Sequence, residues 1–168
     1  MDANVKKTVL RMIPYGLYVL TAKGKDDDAV AAATVNWVTQ ASFAPPLVVV
    51  GVKTDSHAHA LINESKAFAL NMLGKGQQAM AFTFFKPAVR EKQTISGEPF
   101  RWGSTGAPVL ERTPAYVECR LVDTVEKGDH SVFVGEVVDA GQGAQIEGRA
   151  DDATLWLKEL GPNVFYGG

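Results

Sequence analysis

The stretch TVNWVTQASFAPPLVVVGVK, Thr34 to Lys53, sets two unlike patterns side by side. Its second half holds Leu47, Val48, Val49, Val50 and Val52, the β-branched and aliphatic residues of a buried strand, and predicts a strand over Pro46–Lys53. The first half scatters Thr34, Asn36, Thr39, Gln40 and Ser42 among Val35, Trp37, Val38, Ala41 and Phe43. Such small hydrogen-bonding side chains either satisfy loop backbone and face solvent, or line a ligand that needs donors and acceptors beside apolar surface. The composition by itself favours the first explanation.

Working outward, the same patterns recur on both sides. Val5, Val9, Met12 and Ile13 stand at helical spacing, which predicts an amphipathic helix over residues 4–13 that Pro14 stops. YGLYVLTA, Tyr15–Ala22, reads as a strand, followed by the loop KGKDDD, and Ala29–Trp37 reads as a second strand. Thr54–Ser65 predicts a helix with Asp55 or Ser56 at its N-cap. Phe68–Leu73 is a further strand, and Gln77–Phe85 an apolar helix after a glycine-bracketed turn. Lys86–Val109 has no clear periodicity; so long a connection either is functional or hides short elements. Ala115–Val125 and Val132–Ala140 are strands joined by a turn, and Asp152–Leu160 predicts a short helix before the closing NVFYGG. Many short strands with few helices point to a single β-barrel domain over residues 1–168 with helical additions, not to a doubly wound sheet.

The bulk properties exclude several classes. A chain of 168 residues, 46% hydrophobic and 21% charged, can bury a substantial core and does not resemble a disordered segment. A net charge of −2 argues against a nucleic-acid footprint. No apolar run reaches the roughly 20 residues of a membrane span, and MDANVKKTVLRMIPYG is too polar for a signal peptide. A soluble, cytoplasmic protein is the expectation. The single cysteine, Cys119, lies in the strand-like AYVECRLV and reads as a small buried hydrophobe rather than a reactive thiol.

Some motifs invite other readings. GKGQQA, Gly74–Ala79, fits the dinucleotide pattern G-x-G-x-x-A, but no parallel strand carrying an acid follows its helix, so a tight turn explains it better. His57 and His59 stand two apart, a spacing that shares a face in a strand and not in the helix expected here, so they are not read as a metal pair. The acidic triplet Asp26–Asp28 reads as a solvated turn, and Asn63-Glu64-Ser65 as an accidental glycosylation match. The chain has no nucleophile elbow and no phosphate-binding loop signature. With no protein nucleophile nominated, difficult chemistry here would belong to a cofactor.

A flavin would use what the opening stretch offers. Its ring needs apolar surface on its faces and hydrogen bonds along one edge, which Thr34, Asn36, Thr39 and Ser42 can supply. Its phosphate needs a cation, hydroxyls and a helix N-terminus, which Lys53, Thr54 and Ser56 bring together just downstream.

The order of these segments is specific. It runs Thr-x-Asn-Trp-x-Thr-x-x-Ser before Pro45-Pro46, then Ser56-x-x-His59 opening a helix, Asn71 before Met72-Leu73, and Gly128-Asp129-His130 before Gly135-Glu136-Val137. In this the chain resembles the flavin reductase-like family of FMN-binding split β-barrels, from about Pro14 to Ala140. That family includes flavoredoxins and the reductase components of two-component monooxygenases.

The resemblance implies a mainly β fold, a six-stranded antiparallel split β-barrel with a few short helices, and a homodimer binding FMN near its interface. It implies hydride transfer from NADH or NADPH to flavin, with free flavin or a redox protein as partner. A flavoredoxin-like FMN electron carrier is the alternative activity, and a cofactor-free barrel a more distant one. By the same resemblance Thr34, Asn36, Trp37, Thr39 and Ser42 line the flavin ring and ribityl chain. Lys53, Ser56 and His59 form the phosphate turn, Asn71 lies near the cofactor, and His130 approaches the nicotinamide. The chain departs from the pattern at Ala32-Ala33-Thr34, where Met-Thr is common, and at Ala58, where a hydroxyl residue is common. Arg90, Arg101 and Trp102 are candidates for substrate contact, with a surface loop as the plainer explanation.

Overall fold

The computed structural model describes residues 1–26, 29–143 and 145–167. Asp27 and Asp28 of the acidic triplet fall outside them.

Seven strands form the main sheet. They are β1 (Tyr18–Lys23), β2 (Val30–Val35), β3 (Val38–Ser42), β4 (Leu47–Lys53), β5 (Ala67–Met72), β10 (Ala115–Glu126) and β11 (His130–Gln142). Their spatial order is β2-β1-β5-β10-β11-β4-β3, with every ladder antiparallel. The two edge strands, β2 and β3, are consecutive in the chain, linked by Asn36 and Trp37 alone. Two linking residues span no more than about 11 Å. A sheet whose edges are that close must curl on itself, so it forms a barrel open along one seam.

The expected six strands become seven because Val38–Ser42, read as loop, pairs with β4 as an edge strand: Val38 faces Val50 and Thr39 faces Val49. Its burial pattern is largely exposed, so no apolar alternation marked it in the sequence. The unassigned stretch 86–109 holds a second small sheet of β6 (Arg90–Glu91), β7 (Thr94–Ile95), β8 (Glu98–Trp102) and β9 (Pro108–Leu110). These are the short elements that a connection of this length can hide.

Burial follows the period of two. Along β1, Leu20 and Ala22 point into one core with Val50, Phe68, Cys119 and Phe133, while Val19 faces the other way, into a cluster with Phe84, Ile95 and Phe100. Both faces of β1 are therefore covered, which explains its nearly unbroken apolar run. Helix α2 (His57–Ser65) lays Ala58, Leu61 and Ile62 on the first core and ends at Lys66 in the left-handed conformation.

Helix α1 (Ala3–Leu10) forms where expected, its first turn capped by the Asp2 carboxylate, which accepts from the N–H groups of Asn4 and Val5. None of its residues is buried, so the apolar face it was predicted to pack stays open. Helix α3 (Gln78–Thr83) is shorter than predicted, and the expected helix over Asp152–Leu160 is two 3-10 turns, Ala150–Ala153 and Leu157–Leu160. GKGQQA is a tight turn closed by Gln77, whose Oε1 accepts from the Gly74 N–H at 2.8 Å.

One carboxylate is spent on the scaffold. Glu118 on β10 is fully buried and accepts from Ser104 N at 3.0 Å, Thr105 N at 2.7 Å and Thr105 Oγ1 at 2.7 Å. Gly103 is required beside it, because a Cβ there would overlap the carboxylate. Burial pushes the Glu118 carboxyl up, but the hydrogen bonds from Thr105 and Ser104 outweigh it and hold the group below its ordinary value. A folded-state value below the unfolded one gives stability that is complete above the ordinary carboxylate range. That stability is lost as pH falls through the depressed value. Glu118→Gln sets an amide N–H₂ against N–H donors and should cost about 2 kcal/mol at neutral pH. Denaturant titrations of both proteins should show the gap narrowing below about pH 4; a pH-independent gap would mean that the loss is one of packing.

Candidate functional site

A groove of about 490 Å³ opens where the C-terminal ends of β2 and β4 meet the start of α2. Thr34 lines it from β2, Asn36 from the β2–β3 link, Gly51 and Lys53 from β4, Ser56 and Ala58 from the helix start, and His130 from β11. Strand register brings them together: His130 opens β11 directly opposite Lys53 at the end of β4. The Thr54 N–H and hydroxyl both donate to the Asp129 carbonyl, at 3.0 and 3.1 Å, which ties the β10–β11 turn to the turn that leads into α2. Gly51 permits a close approach; a Cβ there would stand 3.0 Å from Trp37 Cε3.

Around Asn36 and His130 the groove is polar, and aromatic rings pack beside it. The rings of Trp37 and His130 lie 4.6 Å apart, and Tyr166 sits 5.3 Å from Trp37. Asn36, 5% exposed, donates from Nδ2 to the Tyr166 carbonyl at 3.1 Å. His130 Nδ1 is 2.9 Å from the Asp129 carboxylate and Nε2 is 2.7 Å from the Tyr166 hydroxyl. The hydrogen bond from His130 holds the Asp129 carboxyl below its ordinary value. Since that carboxylate can only accept, the proton is assigned to Nδ1, and Nε2 accepts from Tyr166. Burial pushes the Tyr166 hydroxyl up, so it stays protonated as that donor.

Beside His130, across the β11–β4 ladder, the groove carries a cation. Lys53 Nζ pairs with Asp55 at 3.0 Å, and that hydrogen bond and charge raise its pKa. Ser56 is the N-cap of α2: its Oγ accepts from His59 N at 3.2 Å and donates to the Lys53 carbonyl at 2.7 Å. The first N–H groups of a helix have no intrahelical acceptor, so this corner suits an anion.

The other expected site residues are spent on the scaffold or lie outside the groove; Trp37 packs against His130 without lining the groove. Thr34 lines the groove, but its hydroxyl is spent on the Ala81 carbonyl at 2.8 Å, anchoring α3. Thr39 is exposed and faces a separate cavity of about 290 Å³ against Tyr18, Val48 and Leu70, and Ser42 lines neither. Once β3 is a paired edge strand, its side chains turn away from the helix start. His59 is drawn inward, with Nε2 2.8 Å from Ser131 Oγ and its ring against Phe133 at 5.0 Å. Asn71 is fully buried: its Nδ2 donates to the Val19 carbonyl at 3.0 Å and its Oδ1 accepts from Leu110 N at 2.8 Å, which staples the small sheet to the barrel. It lines no part of the groove.

Cys119 is buried, and burial pushes its thiol up to about 12, as expected of an inert core residue. Arg101 lies over the Tyr116 ring and Arg90 over Trp102, outside the groove. Among the described residues no cluster of three or more His, Cys, Asp or Glu could hold a metal, and no helix is long and apolar enough to cross a membrane.

Two groups of groove residues were not foreseen. Phe84 and Phe85 close one wall from the end of α3, and Val164, Phe165 and Tyr166 cross from the carboxy-terminal segment. The one sequence signal for the latter was an aromatic pair in a tail with no other apolar role.

Comparison with known proteins identifies the family. The family described as "Flavin reductase like domain" matches residues 10–160. The reductase component of a 4-nitrophenol 4-monooxygenase/4-nitrocatechol 2-monooxygenase from Rhodococcus opacus is 34% identical over 143 residues, 85% of this chain and 74% of that one. Diflavin flavoprotein A 1 of Synechocystis is 33% identical over 88% of this chain, which spans only 25% of that longer protein. Among solved structures, the NADH:FAD oxidoreductase of Streptomyces globisporus C-1027 superposes with a TM-score of 0.70 at 28% identity, covering 84% of each chain.

Proposed function

Because the chain belongs to the flavin reductase-like family, we propose that it is an NAD(P)H-dependent flavin reductase that takes hydride from a nicotinamide and delivers it to flavin, FMN being the flavin its groove fits best. The observation that carries this is the chemistry gathered in one groove: Asn36 and His130, with Trp37 packed against His130, beside Lys53 and the capped start of α2. A single phosphate on a short chain matches one cationic corner. Ala58, on the groove wall, leaves that corner one hydroxyl short of the pattern common in the family.

When bound, the flavin supplies the hydride-accepting nitrogen, N5. Lys53 and the first amides of α2 would hold its phosphate, and Val35 and Gly51 on the groove wall would leave apolar surface for its ring. His130, held by Asp129, orients the nicotinamide. The chain forms a homodimer and passes reduced flavin to a monooxygenase-type partner. Thr39 and Ser42 would meet cofactor only across such an interface, since they face away from this chain's own groove.

The test is an absorption spectrum of the purified protein with added FMN, followed by NADH and NADPH. Binding of FMN with rapid oxidation of one nucleotide in excess flavin is the expected result. Binding without any nucleotide oxidation favours the second reading, an FMN electron carrier. That reading draws on one observation: Tyr166 already occupies His130.

A further inference from the structure

The carboxy-terminal segment is anchored up to a defined point and lightly held beyond it. Leu155, Leu157 and Leu160 are buried in the second core. Gly161, at φ +126°, then breaks the path, in a conformation side chains disfavour. From there Val164–Gly167 runs across the mouth of the groove. Phe165 and Tyr166 remain 52% and 47% exposed, so the strap buries little apolar surface. Its polar contacts are few: Asn36 Nδ2 to the Tyr166 carbonyl at 3.1 Å, His130 Nε2 with the Tyr166 hydroxyl at 2.7 Å, and Arg11 Nε to the Gly167 carbonyl at 3.3 Å. The Arg11 guanidinium also lies 4.2 Å from the centre of the Phe165 ring.

With the strap down, one donor is stranded. The Trp37 indole N–H is buried without an acceptor, and Gly167 closes over it: a Cβ on Gly167 would stand 3.6 Å from Nε1. A buried donor left unpaired is unfavourable. Tyr166 meanwhile presents an aromatic ring to Trp37, a carbonyl to Asn36 and a hydrogen-bond donor to His130. A pyridine ring bearing a carboxamide offers the same three features: ring, carbonyl oxygen and N–H donor.

We propose that Val164–Gly167 is a displaceable strap in which Tyr166 stands in for the nicotinamide ring, so that the incoming dinucleotide must lift Tyr166 off His130 and Asn36 to bind. This rests on the reductase reading. The strap's hydrogen bonds end on Asn36, His130 and Arg11 and none is made to Lys53 or Ser56, although Tyr166 lies within the field of the Lys53 ammonium. The strap therefore competes with the nicotinamide rather than with the flavin phosphate. Affinity for nicotinamide is then scaled by the fraction of molecules whose strap is raised.

The test compares the full chain, a chain ending at Asn163, and Tyr166→Phe, each checked by thermal melting. Oxidised NAD⁺, which does not react, and FMN are titrated separately by calorimetry, and the KM for NADH or NADPH is measured. A strap that is down about four-fifths of the time predicts roughly fivefold tighter NAD⁺ binding on truncation. Tyr166→Phe, which keeps the ring but loses the hydroxyl contact with His130, falls between. KM for the nucleotide drops in parallel, and FMN binding stays constant. NAD⁺ affinity that is unchanged or weaker in both variants, with FMN binding intact, overturns the strap, the weaker result making the segment a wall of the site. Should the truncated chain fail to fold, Tyr166→Phe decides alone. Failure of both FMN and NAD⁺ to bind any of the three proteins removes the reductase reading and the strap's role with it.

Discussion

Gly135→Val lowers the thermal unfolding midpoint by roughly 6–12 °C, whereas Gly128→Ala leaves it nearly where it was. Both glycines lie in or beside the β10–β11 hairpin, yet their surroundings differ. A Cβ on Gly135 would stand 2.6 Å from Phe68 Cζ and 2.9 Å from Cys119 Cβ, and both of those residues are fully buried. Neither can withdraw without opening the ladders β5–β10 and β10–β11 that they occupy. Overpacking at such a point costs about 3 kcal/mol, at the upper end of the usual range. A Cβ on Gly128 meets nothing within 4 Å. Melting curves of the two variants beside the parent are sufficient. Equal midpoints for Gly135→Val and the parent would mean that the barrel interior has slack that its geometry denies.

Lys53→Gln combined with Ser56→Ala weakens FMN between about ten- and a hundredfold, while riboflavin, which lacks the phosphate, loses almost nothing. Both residues stand at the cationic corner, but they act differently. Lys53 brings a solvent-exposed charge already paired with Asp55, which holds down its share. Ser56 brings a hydroxyl and fixes the first turn of α2 by accepting from His59 N. Losing that cap costs about 1 kcal/mol of stability in its own right. The comparison of the two flavins separates that loss from the phosphate contact. Equal losses for FMN and riboflavin would remove the phosphate from this corner.

How far the sequence carries the fold depends on which physical signal each segment sends. The valines of β4 and the apolar face of α2 advertise burial with the right period, and both fall within a few residues of their expected bounds. β3 sends no such signal: an exposed edge strand owes its pairing to β4 and not to its own pattern. The small sheet within 86–109 is made of strands of two to five residues, shorter than any periodicity can register. The groove shows the same division. Lys53, Ser56 and His130 stand where local sequence placed them, at a strand end, a helix cap and a turn. Thr39 was drawn in by its small hydrogen-bonding side chain and Asn71 by motif order, and only the register of their strands reveals that they face elsewhere. Tyr166 was invisible because its partners, Asn36 and His130, lie 130 and 36 residues away in the chain.

The two-residue link between β2 and β3 makes Asn36 and Trp37 answer to two masters. They close the barrel's seam, and Asn36 lines the groove while Trp37 packs against its His130. Inserting a single amino acid there would slacken the closure and swing the indole off its neighbours in one stroke. Natural variation should therefore leave the length of this crossing untouched while allowing the 86–109 segment to grow, shrink or be rebuilt.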